Sequence, residues 1–128
     1  MDKAFKYLEG NAIATEEAYP YTATKGTCDT SALSDATVKV ASFVDVAVND
    51  VAALKAQIDI GPVSVAIEAD KAVFQMYSSG VLTGTGCGTN LDHGVLAVGY
   101  GTDGGTPYFL VKNSWGSSWG DNGYIKIG

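Results

Sequence analysis

The sequence predicts an α+β fold, with short helices in its first part and an antiparallel sheet that dominates its second. Apolar residues make up 46% of the 128 residues, which is enough to bury the core of one globular domain. Helical spacing of apolar residues is confined to short stretches before residue 80. After residue 90, strand-like segments follow one another, and the turn at 103–105 is typical of a hairpin.

Three short helices are predicted. The apolar residues within 4–8 share one helical face, which a glycine follows. Asn49 or Asp50 can cap a second helix, whose apolar positions between 51 and 58 lie on one side. One or two further helical turns are expected over 73–77.

The strands are predicted from β-branched runs and from alternation of apolar and polar residues. Residues 11–37 are polar and rich in turn formers, so they are expected to form an ordered surface loop. The predicted strands are 38–48, 63–68, 95–100, 108–112 and 123–127.

Charge and composition exclude several classes of function. The net charge is −6, and the eight basic residues are scattered lysines without an arginine, so no nucleic-acid surface is expected. No apolar stretch approaches twenty residues, so no membrane span is expected. One histidine and two widely spaced cysteines lack the paired spacing of a metal site. We therefore expect no metal and no other cofactor.

A glycine motif near the hairpin is not a nucleotide site. Residues 99–104 match the pattern G-x-G-x-x-G after a predicted strand. A dinucleotide site requires a helix N-terminus next, to receive the pyrophosphate. The following residues, 106–111, are strand-like, so the motif is interpreted as a glycine-rich hairpin.

The same hairpin predicts that the only histidine, His93, lies close to Asn113. His93 opens one predicted strand and Asn113 closes the next, at nearly equal distances from the turn. Antiparallel pairing therefore brings both side chains together, within a register slip of about two residues. A carboxamide can orient an imidazole without adding charge, which leaves the other ring nitrogen for a reaction partner.

The residues around the pair resemble a known family. The run Asn113-Ser114-Trp115-Gly116, then Trp119-Gly120 and a Gly-Tyr strand, with Asp92-His93-Gly94 upstream, resembles the His/Asn-bearing portion of papain-like cysteine proteases of the cathepsin L type. The segments 15–21 and 61–67 are also similar to the family's Tyr-Pro-Tyr loop and central strand. The resemblance implies the β-barrel-like right-hand domain of the papain-like fold, which we expect to be truncated at both ends.

The resemblance also implies a role for individual residues. His93 and Asn113 would be catalytic, Trp115 would cover their hydrogen bond, and Trp119 would line the leaving-group side of the cleft. Three further residues would bind substrate: Ala66 and Gly94 in the pocket for the substrate's second residue, and Asp92 beside the leaving group. Cys28 and Cys87 would each be half of a disulfide whose partner lies outside the chain; pairing with each other is the less favoured alternative.

The chain departs from the family in one respect. Nothing matches the family's nucleophile segment, Gln…Cys-Gly-Ser-Cys-Trp. We therefore expect a fragment of a papain-like endopeptidase, inactive alone, whose missing N-terminal half carries the nucleophile. Residues 1–10 would be a helix that belongs to the other subdomain, and residues from about 38 to 128 the β-rich His/Asn domain.

Two alternatives to a peptidase fragment remain. One is a noncatalytic, pseudoprotease-type module that binds peptides or proteins, and the other is a lectin-like or structural β protein. For the peptidase, the expected partners are a peptide or protein substrate, the missing half, and a propeptide or cystatin-like inhibitor. The family resemblance favours a lysosomal or secreted protein, because disulfides persist in such compartments.

Overall fold

The computed structural model describes residues 1–84 and 86–128 and divides them into two compact units, Met1–Asp45 and Val46–Gly128. The first unit contains helix α1 (Asp2–Gly10) and a 3-10 turn, Ser31–Leu33. Asn11 ends α1 by donating its backbone and side-chain N–H groups to the carbonyl of Tyr7. No residue of α1 is buried.

The second unit holds two helices and a five-stranded sheet. The helices are α2 (Val51–Ile60) and α3 (Ala72–Gln75), and the strands are β1 (Val63–Ile67), β2 (Val81–Leu82), β3 (His93–Asp103), β4 (Thr106–Lys112) and β5 (Tyr124–Ile127). Asp50 caps α2, because its carboxylate accepts a hydrogen bond from the backbone N–H of Ala53 at 2.8 Å.

The strand order is β1-β3-β4-β5-β2, and only the outer pair β5–β2 is parallel. The predicted α+β class is confirmed, whereas the expected barrel-like closure is corrected. Among the described residues the sheet is open, because β1 and β2 form its two edges and do not pair with each other. Strand β2 was missed because two residues give no period.

The core lies between one face of the sheet and α3. Val95, Val111 and Ile125 come from three neighbouring strands, and Phe74 covers them from α3. Ile125 is fully buried. Because side chains alternate along a strand, His93, Val95 and Ala97 share this face of β3. The histidine therefore lies at the end of the row of residues that forms the core.

The strand predicted over 38–48 is wrong. Val38 forms a single isolated bridge with Ile13, and no strand is assigned from residue 39 to 48. Val44 and Val48 are almost fully exposed. β-branched residues favour a strand only where a neighbouring strand and a buried face support it, and this segment has neither.

No helix within residues 1–84 and 86–128 is both long and apolar enough to cross a membrane.

Candidate active site

The structure brings His93 and Asn113 into direct contact, which confirms the predicted proximity of the two residues. His93 is the first residue of β3, and Asn113 immediately follows the last residue of β4. The His93 Nε2 and Asn113 Oδ1 atoms are 2.8 Å apart. The backbone N–H of Asn113 donates to the carbonyl of Gly123 at 2.9 Å, which holds the asparagine at the end of its strand.

A one-residue β-bulge places both side chains on the same face of the sheet. Near the turn, odd-numbered residues of β3 pair with even-numbered residues of β4, as Asp103 does with Thr106. The register shifts between Ala97 and Gly99, and beyond it even pairs with even, as in Leu96 with Lys112. Directly paired residues have their side chains on the same face of the sheet. An odd-numbered residue of β3 therefore shares a face with an odd-numbered residue of β4 only on the side of the bulge away from the turn. An unbulged hairpin would have put His93 and Asn113 on opposite faces.

The position of the imidazole proton follows from a backbone hydrogen bond. Asn113 Oδ1 also accepts the backbone N–H of Ser114 at 2.8 Å. Because a backbone N–H can only donate, the amide oxygen, and not the amide nitrogen, must occupy this position. His93 Nε2 therefore carries the ring proton and donates a hydrogen bond to Asn113 Oδ1. In the neutral ring Nδ1 is then the nitrogen that can accept a proton.

The amide of Asn113 is buried and only half satisfied. The residue is 7% exposed, and its Nδ2 atom has no hydrogen-bond partner among the described residues. An unpaired buried donor costs about 1–3 kcal/mol. The N–H groups of His93 and Ser114 both donate to Oδ1, which offsets this cost and prevents the amide from rotating by 180°.

Aromatic side chains surround the pair. Trp115 stacks on the His93 ring with a centroid distance of 5.1 Å and an interplanar angle of 28°. Phe74 meets Trp115 edge-on at 5.4 Å and His93 at 6.5 Å. Trp115 is 40% exposed, so it covers the imidazole from one side while its outer face meets solvent. The sequence did not single out Phe74, whose only signal was an apolar position in a short helix.

Trp119 lies deeper in the same aromatic cluster. Its ring is 5.0 Å from Phe74 and 6.0 Å from Tyr77. Its indole N–H donates to the backbone carbonyl of Gln75 at 3.0 Å. Trp119 thus ties the loop after β4 to α3, and it reaches His93 through Trp115, which is 5.4 Å away.

The three residues expected to bind substrate fall in two places. Ala66 and Gly94 are directly paired between β1 and β3, and both are exposed. Ala66 also lines a mainly apolar cavity of 220 Å³, together with Phe74 and Leu91. Asp92 and Gly94 are not among the residues that line this cavity. The Asp92 carboxylate instead accepts the backbone N–H of Ala69 at 2.7 Å.

Cys28 and Cys87 are both exposed and carry free thiols, so they are not bonded to each other. Cys87 lines the same cavity as Ala66, whereas Cys28 belongs to the first unit. Neither residue lies in a run that resembles Cys-Gly-Ser-Cys-Trp.

Comparison with known proteins assigns the chain to a family. The model of the papain family of cysteine proteases matches residues 1–128. The chain is 51% identical over 129 residues to the probable cysteine protease RD21C of Arabidopsis thaliana, covering 99% of this chain and 28% of that protein. It is 52% identical over 130 residues to cysteine protease 1 of Oryza sativa subsp. japonica, covering 99% of this chain and 26% of that protein.

Solved structures agree with the sequence relatives. A cysteine protease of Carica candamarcensis in complex with E-64 superposes with a TM-score of 0.82 at 41% identity, covering 97% of this chain and 56% of that one. The proform of the ragweed pollen cysteine protease Amb a 11 superposes with a TM-score of 0.89 at 39% sequence identity, covering 99% of this chain and 35% of that one. The chain belongs to the papain family of cysteine proteases. It spans little more than a quarter of the length of the sequence relatives named above.

Proposed function

We propose that this chain contributes the histidine and asparagine of a Cys-His-Asn peptidase that cleaves peptide bonds. The hydrogen bond from His93 Nε2 to Asn113 Oδ1 is the observation that supports this proposal most directly. It fixes the ring, leaves Nδ1 unprotonated in the neutral state, and lies beneath an aromatic cover. An imidazole oriented in this way can take and return a proton at a single defined atom.

In the proposed reaction, a cysteine thiolate from a segment outside residues 1–128 pairs with protonated His93. The thiolate attacks the peptide carbonyl and forms a carbon–sulfur bond. His93 Nδ1 then gives its proton to the amine as the carbon–nitrogen bond breaks. Water, deprotonated by the same nitrogen, then attacks the thioester carbonyl; the carbon–sulfur bond breaks, the acid is released, and the thiolate paired with protonated His93 is restored. Asn113 holds the ring through Nε2 throughout.

The 128-residue chain is proposed to be inactive by itself, because neither Cys28 nor Cys87 stands in a nucleophile motif. Its principal partner is then the segment that supplies the thiolate, and α1 (residues 2–10) is proposed to pack against that segment. The lack of any buried residue in α1 supports this proposal.

The proposed ligands are peptides, a propeptide and inhibitors of the cystatin type. One structural relative is in complex with E-64 and another is in its proform, which supports inhibitor and propeptide binding in general terms. Ala66 and Gly94 are proposed to flank a bulky apolar substrate group, because both are small, exposed and adjacent. Asp92 is proposed to lie beside the leaving group. Secretion or a lysosome-like compartment is proposed from the family alone, and the sequence relatives named above are plant proteins.

The test is to join the chain to the nucleophile-bearing segment of a relative and to measure hydrolysis of a dipeptidyl fluorogenic amide. The 128-residue chain alone should show no turnover, and the joined protein should be active and blocked by E-64.

In the joined protein, His93→Ala should lower kcat by about 10³-fold, because proton transfer to the leaving amine is lost. Asn113→Ala should lower kcat by about 10- to 100-fold, because the ring loses its orientation.

Asn122→Gly is the matched control. Asn122 is an asparagine on the loop before β5 whose φ of 53° suits glycine, so activity should be unchanged. Turnover by the 128-residue chain alone would contradict its proposed inactivity. A folded joined protein that binds peptides but does not cleave them would identify a binding module instead.

A further inference from the structure

A buried carboxylate lies where the chain approaches His93. Glu68 directly follows β1, and its side chain is only 5% exposed. It forms an ion pair with Lys71 Nζ at 2.7 Å and accepts the backbone N–H of Asn90 at 2.5 Å. A carboxylate with so little exposed surface is stable only when it is paired and hydrogen-bonded, and Lys71 and Asn90 supply these two interactions.

Two further hydrogen bonds join the same two segments. The backbone N–H of Asp92 donates to the carbonyl of Ile67 at 3.0 Å, and the Asp92 carboxylate accepts the N–H of Ala69 at 2.7 Å. Ile67 and His93 are then paired in the sheet. The residues that precede His93 are therefore fastened to the end of β1 at successive positions.

The carboxylate of Glu68 lies against Gly88, which has no side chain to displace it. A Cβ atom on Gly88 would overlap the carboxylate of Glu68. The φ angle of Gly88 lies outside the left-handed region, so a side chain here would displace the Glu68 carboxylate without straining the backbone.

We propose that Glu68 is a positioning residue for His93. The carboxylate, neutralised by Lys71, holds the loop 88–92 through Asn90 and thereby fixes the point at which the chain enters β3. The ring of His93 then stays within hydrogen-bond reach of Asn113. The relevance of Glu68 to peptide cleavage rests on the proposed function, whereas its effect on the histidine is a property of the chain alone.

The single histidine makes this effect measurable in the 128-residue chain by NMR. Its imidazole nitrogens report the tautomer, and the exchange of the Nε2 proton with water reports how often the bond to Asn113 opens. Glu68→Gln keeps an acceptor for Asn90 but loses the ion pair, and Gly88→Ala displaces the carboxylate. Both should speed exchange of the Nε2 proton by about tenfold or more. Gly26→Ala, where an added Cβ contacts nothing within 4 Å, should leave it unchanged.

A purely structural role for Glu68 would give a different result. Both variants would then unfold at a lower temperature, but the tautomer and the Nε2 exchange rate would equal those of the wild type, and the proposal would be overturned. If Gly88→Ala fails to fold, Glu68→Gln alone decides between these outcomes, because it leaves the number of non-hydrogen atoms unchanged. The NMR result does not depend on catalysis, so an inactive joined protein would contradict the proposed function without affecting this test.

Discussion

At the scale of single residues, the position of one proton determines what the site can do. The backbone N–H of Ser114 identifies the amide oxygen of Asn113, and this oxygen in turn assigns the proton to His93 Nε2. The sequence shows two polar residues that a hairpin brings together, but it gives no tautomer. The tautomer depends on atoms within a few ångströms of each other, which only the structure supplies.

Glu68 should make the stability of the fold depend on pH in the acid range. The hydrogen bond from Lys71, followed by that from the backbone of Asn90, lowers the pKa of Glu68. Its stabilising effect is therefore complete above the unfolded-state pKa, about 4.3, and is lost as the pH falls through the lower native value. In thermal unfolding at a series of pH values, the unfolding temperature of the wild type should exceed that of Glu68→Gln by a constant amount above about pH 5. This difference in unfolding temperature should shrink below about pH 4. A difference that is the same at every pH would contradict this assignment.

At the scale of elements, the β3–β4 hairpin was predictable and the bulge within it was not. The turn at 104–105 has φ angles of 55° and 85°, which glycine adopts at little cost, so the sequence identifies this turn. The shift at 97–99 has no comparable signature, because no residue between Ala97 and Gly99 needs a positive φ. Adjacency of His93 and Asn113 could thus be predicted, but the reason that they share a face could not.

Gly105 in the turn should be more sensitive to substitution than Gly99 within the strand. Gly105→Ala forces a side chain into the left-handed region, which costs about 1–2 kcal/mol, and should lower the unfolding temperature. Gly99→Ala is the control within the same hairpin, since its Cβ would meet only Leu110 Cβ at an ordinary 3.8 Å and its φ is not positive. If the two variants lowered the unfolding temperature equally, the conformation of the turn would not determine the stability of this hairpin.

At the scale of the whole molecule, burial is distributed unequally between the two units. The core residues all belong to residues 46–128, whereas α1 buries none. A nine-residue helix without a buried face is marginal in water. The predicted strand at 38–48 fails for a related reason, since none of its β-branched residues is buried and no strand among the described residues pairs with the segment.

Hydrogen exchange of the chain should therefore differ between the two units. The amides of α1 should exchange within seconds to minutes, while those paired between β3 and β4 should be protected by the stability of the whole sheet. Mass spectrometry of peptides from a deuterium-labelled sample would measure this difference. Protection of α1 equal to that of β4 would mean that residues 1–45 are stabilised by something other than side-chain burial.

The bulge between Ala97 and Gly99 also makes the two ends of the hairpin respond differently to changes in chain length. One residue gained or lost between the bulge and His93 would turn the imidazole to the other side of the sheet. Residues added between Gly104 and Gly105 would only enlarge an exposed loop and leave every strand pair in place. That loop is consequently the natural site for a fluorescent label or an epitope tag, which would report on the sheet without disturbing the site at its other end.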